Sequence, residues 1–169
     1  MSVLNIAMFG SDELAKEIAK ATDQRDVHTY VHKEADADGP RILSIIRPAK
    51  FPERLRPFLN ALSAAVVGMV EITKIDATLG EVVVAFASAG IDKGLVIINP
   101  PQGEWVDEDQ VKMIFKQAGL GNWSFEGNDG IDLRAKLYGL MDQVSADLKA
   151  IQQAPLVLPI DQHFNVKGI

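Results

Sequence analysis

The run from Gly10 to Glu17, Gly-Ser-Asp-Glu-Leu-Ala-Lys-Glu, has the layout of a phosphate-binding loop. Such a loop reads Gly, four residues, Gly, Lys, then Ser or Thr, after a buried strand. Its backbone N–H groups cradle phosphate oxygens at a helix N-terminus. Its hydroxyl holds the magnesium that bridges the phosphates. Gly10 and Lys16 stand at that spacing, whereas Ala15 replaces the second glycine and Glu17 the hydroxyl residue. Glu17 cannot hold magnesium in the same geometry. Asp12 and Glu13 add negative charge where a polyphosphate would lie. The run suggests a nucleotide-binding layout that has lost half of its chemistry. The plainer reading makes Gly10 a tight turn and Lys16 an ordinary exposed helical lysine.

Other chemistry-bearing groups are weaker. Thr73-Lys74-Ile75-Asp76 has the form of a guanine-reading motif but follows the fourth strand of the pattern, so it reads better as a polar loop opening a helix. Glu34-Ala35-Asp36-Ala37-Asp38-Gly39 has the first half of a calcium loop, but the closing Glu would fall on Ile45, and an acidic surface turn fits better. His28 and His32 share a face of a strand, too far apart for one metal ion, and no third ligand is near in sequence. Arg47, Lys50, Arg54 and Arg56 form one basic cluster, either a solvated loop or a surface that contacts a partner or RNA. No metal ligand set and no catalytic residue is read. With no cysteine there is no disulfide, thiolate metal site or cysteine nucleophile.

The elements that must position these residues alternate between strand and helix. Residues 3–9 read as a buried strand, and Leu14, Ala15, Ile18 and Ala19 give the next helix an apolar stripe. Strands are predicted over 27–31 and 41–46, the latter stopped by Pro48, then a helix over 55–65 and a strand over 66–72. Residues 80–89 are valine-rich, but their place between two strands favours a crossover helix. A strand over 94–98 is ended by Asn99-Pro100-Pro101. A helix over 107–118 has Asp107 as N-cap and Gly119 after its end. A short strand over 123–125 and a long helix over 131–151 follow. This pattern predicts an α/β fold, a three-layer sandwich of about six mostly parallel strands with helices on both faces. Residues 1–154 make that domain. Residues 155–169 read as a linker and the start of a second, β-rich domain.

The chain has 169 residues, 47% of them hydrophobic and 24% charged, with a formal net charge of −6. That charge argues against non-specific nucleic-acid binding, which needs a dense cationic face. The N-terminus lacks a signal-peptide layout, and the apolar run over 61–70 is too short to span a bilayer. A cytoplasmic setting, with no membrane and no DNA partner, is expected.

The order of elements and the tail Pro159-Ile160-Asp161-Gln162-His163-Phe164-Asn165-Val166-Lys167-Gly168 resemble the GTP-binding domain of translational GTPases. The likeness is to elongation factor Tu relatives of the selenocysteine-specific type. There the tail leads into the first β-barrel. The resemblance implies a P-loop GTPase-like fold, with Gly10, Lys16, Asn99 and Ser124 as vestigial nucleotide-binding positions. The Asp-x-Pro-Gly-His motif falls near Arg47-Pro48-Ala49-Lys50-Phe51, where only the proline is kept. The metal-side Asp, the γ-phosphate-sensing Gly and the water-positioning His are gone. The Asn-Lys-x-Asp motif falls on Asn99-Pro100-Pro101-Gln102, and the Gln102 amide cannot accept both guanine hydrogen bonds. The final loop falls on Ser124, with 127–133 as the helix entry.

The resemblance thus implies a pseudo-GTPase of translation, with weak guanine selectivity and without competent hydrolysis. Its partners would be the absent β-barrels and tRNA, the ribosome or another factor; GTP or GDP with magnesium would be the cofactors of the resembling domains. One alternative is an atypical nucleotide-binding enzyme that uses Gly10 and Lys16. A dinucleotide-binding oxidoreductase ranks last, because Asp12 stands at the second glycine of that fingerprint.

Overall fold

The computed structural model describes residues 2–25 and 27–145. The tail over 155–169, the domain boundary at 154 and the last turns of the long helix expected to reach 151 lie outside these residues. The elements are β1 (Ser2–Phe9), α1 (Asp12–Ile18), β2 (Lys20–Gln24), β3 (Val27–Glu34), β4 (Arg41–Pro48), α2 (Leu55–Ala64), β5 (Val67–Ile72), α3 (Ala77–Ser88), β6 (Gly94–Ile98), α4 (Glu108–Gln117), β7 (Ser124–Glu126) and α5 (Gly130–Gln143). They form one seven-stranded sheet in the order β2-β3-β4-β1-β5-β6-β7. The strands from β4 to β7 in that order are mutually parallel, and β2 and β3 form an antiparallel flank. The expected α/β architecture is therefore present, with one strand more than the pattern predicts.

The extra strand is β2. Its Lys-Ala-Thr-Asp-Gln sequence carries no period-two alternation, so propensity gives no sign of it. It is held as the outer half of a hairpin, by Lys20 opposite Val31 and by a hydrogen bond of 2.8 Å between the Thr22 and Thr29 hydroxyls. Pro48 is the last residue of β4, which runs two residues past the expected end at 46. The ambiguous valine-rich segment is a helix. Asp76 caps it by accepting the Leu79 N–H at 3.0 Å, so Thr73 to Asp76 is the polar entry to α3. Asp107 caps α4 and Asp129 caps α5 in the same way. Gly119 follows α4 at a φ of 86°, a conformation that suits glycine.

The pleat divides the core in two. Leu4, Ile6 and Met8 of β1, Val67 and Met69 of β5, and Leu95 and Ile97 of β6 pack under α1 and α5. Ala7, Val70, Ile72 and Val96 face the other way, under α2, α3 and α4. Strands buried on both faces need near-continuous apolar sequence, and β5 has it except at Glu71. Two glycines make room for one ring. A Cβ at Gly68 would run into the Trp123 ring, and one at Gly94 would lie 2.7 Å from it. The indole N–H meets the Ile91 carbonyl at 3.2 Å.

Gly68→Ala is expected to cost about 1–3 kcal/mol, the penalty of overpacking a filled core. Trp123→Ala should cost about 3–5 kcal/mol by leaving a cavity. Urea unfolding monitored by circular dichroism checks both. An unchanged midpoint for Gly68→Ala would mean that the ring is not packed against this strand.

Candidate functional site

In an open α/β sheet, ligands bind beyond the carboxyl ends of the parallel strands. Here Gly10 follows β1 at that edge, as the phosphate-loop layout requires. The loop itself is absent. Asp12, Glu13, Leu14, Ala15 and Lys16 are already α-helical, so only Gly10 and Ser11 separate strand from helix. The N-cap Ser11 accepts the Leu14 N–H on its hydroxyl at 3.2 Å. The Ala15 N–H bonds the Ser11 carbonyl at 3.4 Å. The Leu14 and Ala15 N–H groups are thus taken up within the first turn of α1. The strand-turn-helix order is as expected, with the turn reduced to Gly10 and Ser11. Ser and Asp at the head of an apolar stripe are good helix starters, and without the second glycine nothing keeps the turn open.

Glu71 lies directly beyond this corner. It is 5% exposed, the one buried charged residue among those described. The pleat that sends Val67 and Met69 under α1 sends Glu71 to the same side. Its Oε2 accepts the Ser11 N–H at 2.6 Å, and its Oε1 accepts the Asn99 Nδ2 donor at 2.7 Å. Asn99 follows β6, and its Oδ1 in turn accepts from Asn128 Nδ2 at 3.1 Å. Gly10 is small for a reason. A Cβ there would come within 2.9 Å of the Glu71 Cβ and of the Met8 methyl carbon. From the other flank, Arg47 Nε donates to the Gly10 carbonyl at 2.6 Å. The position where the resemblance expects a metal-side aspartate thus holds a cation pointing at the corner.

A second group surrounds Asp12. Its carboxylate pairs with Lys16 one helical turn on and accepts the hydroxyl of the fully buried Tyr30. His28 Nδ1 is 3.8 Å from it, and an Arg47 guanidinium nitrogen lies 3.5 Å from the same ring nitrogen. The Lys16 ammonium, then the Tyr30 hydroxyl, hold the Asp12 carboxyl down to about 2, and the Asp12 carboxylate pushes the Lys16 ammonium up. Asp12 stays an ionised acceptor at ordinary pH and docks α1 on β3; it is no general acid.

The remaining sequence candidates are scattered. Ser124 opens β7 opposite Leu95 and lies in the strand, while Asn128 supplies the side chain in the following loop. Gln102 is exposed on the 101–104 turn. Lys50, Arg54 and Arg56 are exposed around the start of α2, but Arg47 turns inward and is not part of that surface. His32 meets the Tyr138 hydroxyl at 2.9 Å, and burial lowers its pKa. Glu34, Asp36 and Asp38 are all exposed. Glu71, Tyr30 and Asn128 were not read from the sequence. A lone carboxylate in the otherwise apolar Val-Gly-Met-Val-Glu-Ile run was the available signal for Glu71.

Magnesium and nucleotide do not fit these residues in the phosphate-loop manner. The backbone of Glu17 packs against α5, where its carbonyl accepts from Arg134 at 2.9 Å, at the far end of α1 from the corner. Among the described residues no three His, Asp or Glu side chains gather to hold a metal ion. The cavity beside Glu71, between Phe9, Pro52, Lys74 and Asp76, holds about 250 Å³, smaller than the pockets that ordinarily enclose small ligands. No helix among the described residues is long and apolar enough to cross a membrane.

No known protein-family profile matches the chain. The chain is similar to an uncharacterized protein of Methanocaldococcus jannaschii, 26% identical over 170 residues, an alignment that covers all of this chain and 51% of that protein. The chain therefore spans about half the length of the relative it matches.

Because the Asp12 carboxyl is held below its ordinary value of 3.8, the stability it contributes is fully present above that pH and is lost as pH falls through about 2. Asp12→Asn should therefore be less stable than the wild type at neutral pH. The gap should close between about pH 4 and pH 2. Urea midpoints of both proteins across that range test this; a constant gap would contradict it.

Proposed function

We propose that this chain is the GTPase-like domain of a translation factor, one that no longer works by binding and hydrolysing GTP. The observation that best supports the reading is the wound β1–α1 corner within an otherwise GTPase-like arrangement. From β3 onward the sheet runs β3-β4-β1-β5-β6-β7, one antiparallel strand on a parallel array. Phosphoryl transfer depends almost entirely on positioning and charge stabilisation, by the loop, the lysine, the metal and a water-positioning residue. Here Lys16 is committed to Asp12, Ser11 to Glu71 and Asn99 to both Glu71 and Asn128. A relative about twice as long fits a chain that works with further domains, which the resemblance places in β-barrels.

On this reading the domain is a binding module of the cytoplasm. The exposed Lys50, Arg54 and Arg56 with Leu55 and Leu59 of α2, each about half exposed, are its proposed contact surface for tRNA or the ribosome. The alternative, an atypical nucleotide-binding enzyme working through Gly10 and Lys16, draws on the spacing of those two residues alone. It would require α1 to unwind its first turn and Lys16 to leave Asp12.

Co-sedimentation with ribosomes and gel-shift with aminoacylated tRNA, each with and without magnesium and GTP, test the proposal. Binding to one of them that is indifferent to GTP, and at least about tenfold weaker for a protein with Lys50, Arg54 and Arg56 all changed to Ala, is expected. That factor corresponds to about 1.4 kcal/mol. GTP turnover above a protein-free blank and abolished by Lys16→Ala would overturn it, as would failure to bind either partner.

A further inference from the structure

Five strand ends meet at the edge where Gly10 lies, and each contributes one member of a single hydrogen-bonded row. Arg47, near the end of β4, donates to the Gly10 carbonyl after β1. The next residue, Ser11, donates its N–H to Glu71 of β5. Asn99, after β6, donates to the other oxygen of Glu71. Asn128, after β7, donates to Asn99. The polarity is consistent along the row. An ionised carboxylate can only accept, so Asn99 must turn its NH₂ to Glu71, which leaves its oxygen for Asn128.

We propose that Glu71 is an internal latch: a buried carboxylate of the chain's own that ties the carboxyl ends of the five parallel strands into one ligand-independent arrangement. The charge is the reason it can do so. Burying a carboxylate without partners is costly, whereas two charge-assisted hydrogen bonds offset that cost. The same cost penalises any motion that pulls Ser11 or Asn99 away, so Gly10–Ser11 and the β6 and β7 loops are held together. Gly10 leaves the carboxylate room, since a Cβ there would sit 3.0 Å from Oε2. The Arg47 contact fixes the other side of the same two residues. A ligand seeking the Ser11 N–H would have to displace a tethered carboxylate at very high effective concentration. The latch rests on this geometry and does not require the functional reading above.

Amide hydrogen exchange on the whole chain, read by NMR, tests it. In Glu71→Ala the Ser11 amide should exchange at least about tenfold faster than in the wild type, the sign of local opening. The Asn99 and Asn128 side-chain NH₂ signals should shift together, while the Met69 amide in mid-strand keeps its protection. Should the alanine variant fail to fold, Glu71→Met carries the test. Its side chain keeps the bulk but offers neither Ser11 nor Asn99 an oxygen acceptor, so both bonds are lost. Magnesium with GDP, or inorganic phosphate, should leave wild-type exchange at Ser11 unchanged. Unchanged Ser11 exchange with no Asn128 shift in a folded variant, or protection of Ser11 by phosphate in the wild type, would overturn the latch. A latched edge in a protein that binds neither ribosome nor tRNA would remove the proposed function and leave this inference standing.

Discussion

Two residues are all that separate β1 from α1, and most of the site follows from that constraint. With Gly10 and Ser11 as the whole turn, α1 begins at once over the strand ends, and its first residue, Asp12, is brought against β3. A Cβ at Gly10 would crowd the Glu71 and Met8 side chains, and Ser11 points its N–H at Glu71. Helix capping by the Ser11 hydroxyl and strand-to-strand lacing by the Glu71 carboxylate meet at one residue. Each makes the other's geometry easier to keep, because the two bonds use different groups of Ser11.

The far end of α1 is fixed as firmly. Arg134 of α5 donates to the carbonyls of Ile18 and Glu17 at 2.8 and 2.9 Å, where the last turn of a helix leaves acceptors unused. Gly130 lets α5 approach, since a Cβ there would lie 2.9 Å from the Glu17 carbonyl oxygen. A seven-residue helix has little stability of its own. It persists because Leu14, Ala15 and Ile18 are buried, because Asp12 docks on Tyr30, and because Ser11 caps one end and Arg134 the other. Such a helix is a packed structural element, in contrast to the open, glycine-rich loop whose place it takes.

The sequence made the fold legible wherever burial imposed a period. The parallel strands β1, β5 and β6 are short apolar runs, and Asp107 marks a helix start that the structure keeps. It was silent on β2, whose polar residues are held by its partner strand and not by a core. The site was legible only in part. Gly10, Lys16, Asn99 and Arg47 were picked out by spacing or resemblance, and each does lie near the strand ends. Their partners were not, because Glu71, Tyr30 and Asn128 come from other elements that only the folded sheet brings together. The same limit explains Ser124, chosen by its place before the last helix but held within β7. Spacing along a chain resembling a loop also cannot say whether those residues will stay a loop or wind into the next helix.

The chain's own carboxylates and its helical first turn leave no open phosphate-binding loop at Gly10 to Lys16. The most direct measurement is an NMR titration of the isotope-labelled protein with GDP and magnesium, following the backbone amides from Gly10 to Glu17 and the Lys16 ammonium group. These resonances should stay where they are while the nucleotide is raised to excess. Saturable shifts at Ser11 and Lys16, with loss of the helical signature over residues 12–15, would contradict it.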